Sequence, residues 1–163
     1  MASSKFMKGM KYEIANRAFA LNAIERISNR VKGRPEYIFW NSYVELEKFN
    51  APQYLKFAKK LGVDPTPSFY TRTRAWSTNL IPTFLFGPTL KLVYVLTKVY
   101  LKDLKKIRDL GPLEDMKFLN YMVAQEEFQI ELMELAIEKK YSEIKSKTSD
   151  FINLYTNAIK LDN

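Results

Sequence analysis

An all-α, single-domain helical bundle is what this sequence predicts, with four helices between residues 11 and 141 and a fifth over 147–160. Three observations carry the prediction. Apolar residues recur at steps of three and four over long windows. No segment alternates apolar and polar residues between turn signals, as a half-buried strand would. Glycine and proline cluster at Gly33-Arg34-Pro35, from Gly62 to Pro67 and at Gly111-Pro112, cutting the chain into helix-length pieces. At 163 residues, 47% hydrophobic and 27% charged, the chain has the length and composition for one core of ordinary depth.

The first helix is expected from about Lys11 to Val31, where Ile14, Ala18, Leu21, Ile24, Ile27 and Val31 form a stripe. The second runs from Glu36 to Leu61, with Pro35 where a helix start tolerates it. Along it Trp40, Tyr43, Glu47, Asn50, Tyr54, Phe57 and Leu61 follow at alternating steps of three and four and share one face. Pro52 removes the bond to the Lys48 carbonyl and offers Asn50 a capping role as an alternative to an inward one. A long connection follows, with a turn of helix expected around Thr71 to Thr78. The third helix covers roughly Phe84 to Leu110, with Pro82 and Pro88 interrupting whatever precedes Leu90. Its inward face reads Val93, Thr97, Tyr100, Leu104. The fourth runs from Leu113 to Tyr141, carrying Leu119, Val123, Glu126, Ile130, Met133, Ile137 and Tyr141 on one face. The fifth, Lys147 to Lys160, repeats the pattern with Phe151, Ile152, Tyr155, Ala158 and Ile159.

The absence of both cysteine and histidine excludes disulfides, thiolate nucleophiles, zinc fingers, imidazole bases and the usual catalytic triads. Any chemistry must rest on carboxylates, Lys, Tyr, Ser or Thr, and no cofactor is expected. The N-terminal residues are scattered with basic groups but hold no apolar run of secretory-signal length, so a cytoplasmic location is expected.

Two of the predicted helices carry a polar pair at their apolar stripe, with Gln129 on the flank of the fourth one turn from Glu126. Each of two core-forming helices offers an inward glutamate followed three residues later by an amide, Glu47 with Asn50 and Glu126 with Gln129. This is the spacing of the Glu-x-x-His pairs that two helices of a di-iron carboxylate bundle contribute. In these residues, and in the order of its helices from about Lys11 to Tyr141, the chain resembles the ferritin-like superfamily. The resemblance implies a four-helix bundle with a long connection between the second and third helices, and a di-metal site. In the family each pair ends in histidine, and the first and third helices each supply a further glutamate. Here Asn50 and Gln129 replace the histidines and the third helix has no glutamate, so Thr97 or Tyr100 stands at the ligand level, with Glu25 at the border of the first stripe. The expectation is a degenerate site: Glu47, Asn50, Glu126, Gln129, Thr97 and Tyr100 as a buried polar network or the vestige of a metal site, with no transition metal bound.

The surface is basic, with a formal net charge of +8. Residues 1–34 carry 8 basic and 2 acidic groups, whereas residues 112–163 carry 6 and 10. Lys91, Lys98, Lys102 and Lys105 share one face of the third helix. Leu80 to Leu101 has the length of a membrane span, but Lys91 and Lys98 would each cost ~2.5 to 3.5 kcal/mol near a bilayer centre, which favours a buried core helix. Most aromatic residues fall on the core-facing stripes, which argues against nucleic acid as the ligand. The reading is a non-catalytic interaction protein that binds an acidic protein partner, with Tyr70, Arg72, Arg74 and Trp76 on the long connection as anchors beside the lysine face. A carboxylate-based metal-dependent oxidoreductase and a peripheral protein of anionic membrane surfaces are the alternatives. A homodimer is compatible with all three.

Overall fold

A computed structural model of the chain describes residues 3–66 and 81–159. The described residues form α1 (Ser4–Arg30), α2 (Tyr37–Lys60), α3 (Phe86–Asp109), α4 (Met116–Ile137) and α5 (Tyr141–Ala158), with no strand among them. The all-α expectation therefore holds. The connection expected to hold a helical turn at 71–78 lies outside the described residues.

Local chemistry sets the ends. Ser3 caps α1, its hydroxyl accepting from the Phe6 amide at 3.1 Å, so α1 begins seven residues before the expected Lys11 and buries Phe6 and Met10. Pro52 sits inside α2 on its exposed side, beside exposed Lys48, so the missing backbone bond opens toward solvent and the helix continues. Pro88 falls in the first turn of α3, where no intrahelical partner is lost. At the end of α4 the Lys140 amide donates to the Leu135 carbonyl at 2.8 Å and the Lys139 amide to Ala136 at 3.1 Å. This closure places Lys139 at φ 61°, a left-handed position that glycine usually fills and that costs a lysine about 1 kcal/mol. α5 starts at once, six residues ahead of the expected Lys147.

Two antiparallel pairs, α1 with α2 and α3 with α4, pack into a four-helix arrangement in which α1 also meets α3 and α2 meets α4. Gly9 of α1 lies against Ile107 near the end of α3, and Tyr43 of α2 bonds Gln129 while Tyr54 stacks edge-on to Phe118, so both cross-pairs are antiparallel too. α2 and α3 therefore run in the same direction. α5 covers the outer side of α2 and α4, where Phe151 stacks on Phe128 and Tyr155 tilts against Tyr121. That cover makes α4 the most buried helix, enclosed on almost every side.

Gly111, between α3 and α4, owes its place to close approach. An added Cβ would lie 2.1 Å from Leu119 Cδ1 and 3.0 Å from Phe6 Cε2, in side chains with no freedom to retreat. Gly111→Ala is expected to cost about 1–3 kcal/mol, read from the urea midpoint. Gly87→Ala, where a Cβ meets nothing within 4 Å, should be neutral or slightly stabilising in the same measurement.

Candidate functional site

The centre of the bundle is polar. α1 contributes Glu13 and Arg17 one turn apart, α2 contributes Glu47 and Asn50, and α4 contributes Gln125, Glu126 and Gln129, all buried. Arg17 stands in the middle. Its Nη1 donates to Glu47 Oε1 and its Nη2 to Glu126 Oε2, each at 2.7 Å. Its Nε is 3.1 Å from Glu13 Oε1 but off the hydrogen-bonding line, which leaves that N–H without an aligned acceptor. One planar cation thus faces carboxylates from three helices, a task that the guanidinium fork suits and a point charge would not.

A second ring of amides and phenols closes the network. The Gln129 amide donates to Glu47 Oε1 and to Gln125 Oε1, at 2.5 and 3.1 Å, and Asn50 donates to Gln125 Oε1 at 2.8 Å. Tyr54 donates to Glu13 Oε1 at 2.8 Å, and Tyr100 from α3 donates to Glu13 Oε2. Tyr43 reaches Gln129 Oε1 at 3.1 Å and Tyr121 reaches Asn50 Oδ1. A cavity of about 260 Å³ between α1 and α2 leads from exposed Asn22 and Leu55 down to Arg17, Glu47 and Tyr54.

Three carboxyl groups around one guanidinium leave an excess of negative charge in a dry interior. Burial raises the Glu126 carboxyl to about 7, opposed by Arg17 and reinforced by Glu13 and Glu47. Burial likewise raises Glu47, against the pull of Arg17. Burial alone would lower Arg17, but Glu47, Glu126 and Glu13 hold it well above its ordinary value, so it stays charged. The phenols of Tyr43, Tyr54, Tyr100 and Tyr121 are pushed upward, first by burial and then by the nearby glutamates, and act as neutral donors.

No family model matches the chain, and no curated protein or solved structure shows significant similarity to it.

Of the residues expected in the centre, the structure brings Glu47, Asn50, Glu126, Gln129 and Tyr100 into one network. Asn50 is inward, fully buried and hydrogen-bonded, not a cap. Thr97 is half-buried, and its side chain makes no hydrogen bond among the described residues. Glu25 does not take part: it is on the surface, 3.0 Å from Lys48. The first helix supplies Glu13 instead, and Glu13, Arg17 and Gln125 are the members that sequence reasoning missed. A di-metal centre does not fit these residues, because the Arg17 nitrogens already fill the space between Glu47 and Glu126 and no histidine is available. No group of three or more acidic residues in metal-binding geometry occurs among the described residues.

The outer surface departs from expectation more sharply. α3 is not a buried core helix. Leu90 and Leu104 meet the bundle, with Tyr94, Thr97, Tyr100 and Leu101 half-buried, whereas Val93, expected inward, is exposed. Opposite them Leu92, Val95, Leu96 and Val99 are 60, 55, 57 and 57% exposed, and Phe84 in the preceding turn is 77% exposed. Their spacing of three and four makes one continuous apolar stripe. Lys91, Lys98 and Lys102 are exposed along one border of it, while Lys105 is paired with Glu127 of α4 at 2.6 Å. Tyr70, Arg72, Arg74 and Trp76 lie outside the described residues.

Proposed function

We propose that the chain is a non-catalytic bundle that lies on an anionic membrane surface through α3, and that it is a degenerate form of the ferritin-like bundle in which Arg17 replaces the metal centre. The observation that carries this reading is the exposed stripe of Leu92, Val95, Leu96 and Val99 with its lysine border. No acidic residue occurs between Pro82 and Lys102, so nothing on this stretch opposes an anionic surface. A helix apolar on its exposed side and lysine-rich at the border settles in the plane of the lipid interface, the lysine stems covering apolar area while their heads reach the phosphates.

The segment Thr83–Asp109 is also long and apolar enough to cross a membrane. It is bound along its length to α4, through Tyr94 to Glu134 and Lys105 to Glu127, and to Glu13 through Tyr100. A spanning α3 would have to break these bonds or carry acidic groups into hydrocarbon, which favours the in-plane arrangement. The acidic protein partner expected from the sequence rested on the charge separation, the lysine face and anchors on the connection between α2 and α3, whereas an exposed apolar stripe beside those lysines suits lipid.

Sedimentation with vesicles tests the reading. Folded protein is expected to pellet with phosphatidylcholine vesicles containing phosphatidylglycerol and not with phosphatidylcholine alone. Leu96→Gln combined with Val99→Gln, both at exposed positions, should lower partitioning roughly a hundredfold without changing helix content. Binding lost in high salt would assign the attraction to the lysines, and binding that survives would assign it to insertion near Phe84. Folded protein that ignores anionic vesicles would sink the membrane reading.

A further inference from the structure

One end of the bundle holds a larger cavity, of about 640 Å³, where the end of α1, the starts of α2, α3 and α5, and the end of α4 converge. That volume suits a single small ligand. Its floor and walls are apolar and aromatic: Phe39, Trp40, Phe86, Leu90 and Ile137. Its described charged lining is Arg34, Lys91 and Lys139 with one acid, Glu36, and the three basic residues are exposed and form no ion pair among the described residues. Phe84 and Lys91 belong both to this lining and to the lipid-facing side of α3, so the cavity mouth is continuous with that face.

Lys139 supplies a second, independent observation. Its left-handed backbone would be more stable as glycine, yet the position holds a lysine, and that lysine lines the rim of the apolar cavity. Strained backbone positions cluster at ligand-binding sites, and this one stands at the cavity rim.

We infer that this cavity binds a monoacyl anion, a single fatty chain laid against Trp40 and Phe86 with its carboxylate or phosphate head between Arg34, Lys91 and Lys139. An apolar interior demands a hydrocarbon chain, and the basic rim demands an anionic head. The inference borrows from the membrane reading only the source of the ligand. Binding is measured with monomeric amphiphile free in solution, so the cavity can fill when vesicle binding fails, and the two failures are distinguishable.

The test uses Trp40 as the reporter. The chain has two tryptophans, and Trp76→Phe leaves Trp40 alone. Dibromostearate, kept below its micellar concentration, is expected to quench Trp40 emission saturably. The brominated methyl ester, which lacks the charge, should bind about tenfold more weakly. Shorter acids should lose roughly fourfold per methylene. Arg34→Gln with Lys139→Gly should weaken the acid about tenfold and leave the ester unchanged, while Lys139→Gly raises the urea midpoint. Loss of affinity in a more stable protein separates a ligand contact from a fold defect. Tighter binding of a brominated lysophosphatidate would assign the head as phosphate, and tighter binding of stearate would assign it as carboxylate, both in support. Unquenched Trp40, or equal affinity for acid and ester, overturns the proposal.

Discussion

Replacing Arg17 with methionine is expected to destabilise the protein by about 3–5 kcal/mol at neutral pH, a large part of what a domain of this size has to lose. The methionine fills much of the volume but leaves Glu13, Glu47 and Glu126 facing one another in a dry interior with no cation between them. The burial penalty that the guanidinium now offsets returns in full. The loss should shrink as pH falls and the carboxyls take up protons. Arg17→Lys keeps the charge but cannot donate to Glu47 and Glu126 at once, so it should lie between wild type and methionine. Adding Glu126→Gln to Arg17→Met should recover a large share, because one unpaired charge is removed and its shape kept. Urea unfolding at pH 5 and pH 8, followed by circular dichroism, measures all of these. A methionine variant as stable as wild type would mean that the carboxyls are already protonated and the arginine is dispensable.

The polar centre was half legible in the sequence, for a reason visible in its members. Glu47, Asn50 and Glu126 stand inside apolar stripes, with Gln129 on the flank one turn from Glu126, so their inward direction follows from spacing. Arg17 gave no such sign. Read from Lys11 onward, the stripe of α1 passes through Ile14, Ala18 and Leu21, and an arginine beside it looks like a solvated border residue, as most arginines are. Only when the helix is extended back to Ser4 do Phe6, Met10, Glu13 and Arg17 fall on one line at steps of four, three and four. Even then a cation directed inward is intelligible only beside the glutamates of α2 and α4, which is tertiary information. Gln125 was hidden likewise, since it lies off the Glu126 stripe and is turned inward by partners on α2 and α1, Asn50 and Arg17.

The helices as elements are legible in the sequence, and the way α3 packs is not. A helix apolar around most of its circumference reads as core, but periodicity does not say how many of its sides find a neighbour. α4 and α3 both carry apolar residues around most of their circumference. α4 is buried because α2, α3 and α5 surround it, whereas α3 packs on α4 and α1 and leaves its far side open. The start of α5 was missed because its signal is a lysine in a glycine's conformation, and sequence-based helix stops depend on seeing the glycine.

The second large expectation is a stability that falls as pH rises. The Glu126 carboxyl lies near 4.5 in an unconstrained chain and near 7 in the folded one, because burial disfavours its charge more than Arg17 restores it. Between those values the folded state holds a proton that the unfolded state has released, so unfolding is favoured as pH increases. The contribution is fully present below about pH 4.5 and is lost as pH passes through about 7, amounting to about 3 kcal/mol across the window. Glu47, raised in the same direction, adds to the slope. The urea midpoint should therefore be higher at pH 5 than at pH 8. Glu126→Gln is the decisive variant, since it keeps an acceptor for Arg17 and presents no charge to desolvate. It should flatten most of the decline and exceed wild type at pH 8 by about 1–3 kcal/mol, while at pH 5 the two are nearly equal. A glutamine variant that loses stability at pH 8 would show that the ion pair with Arg17 outweighs the cost of burying the charge, and that Glu126 is ionised in the folded protein well below neutrality.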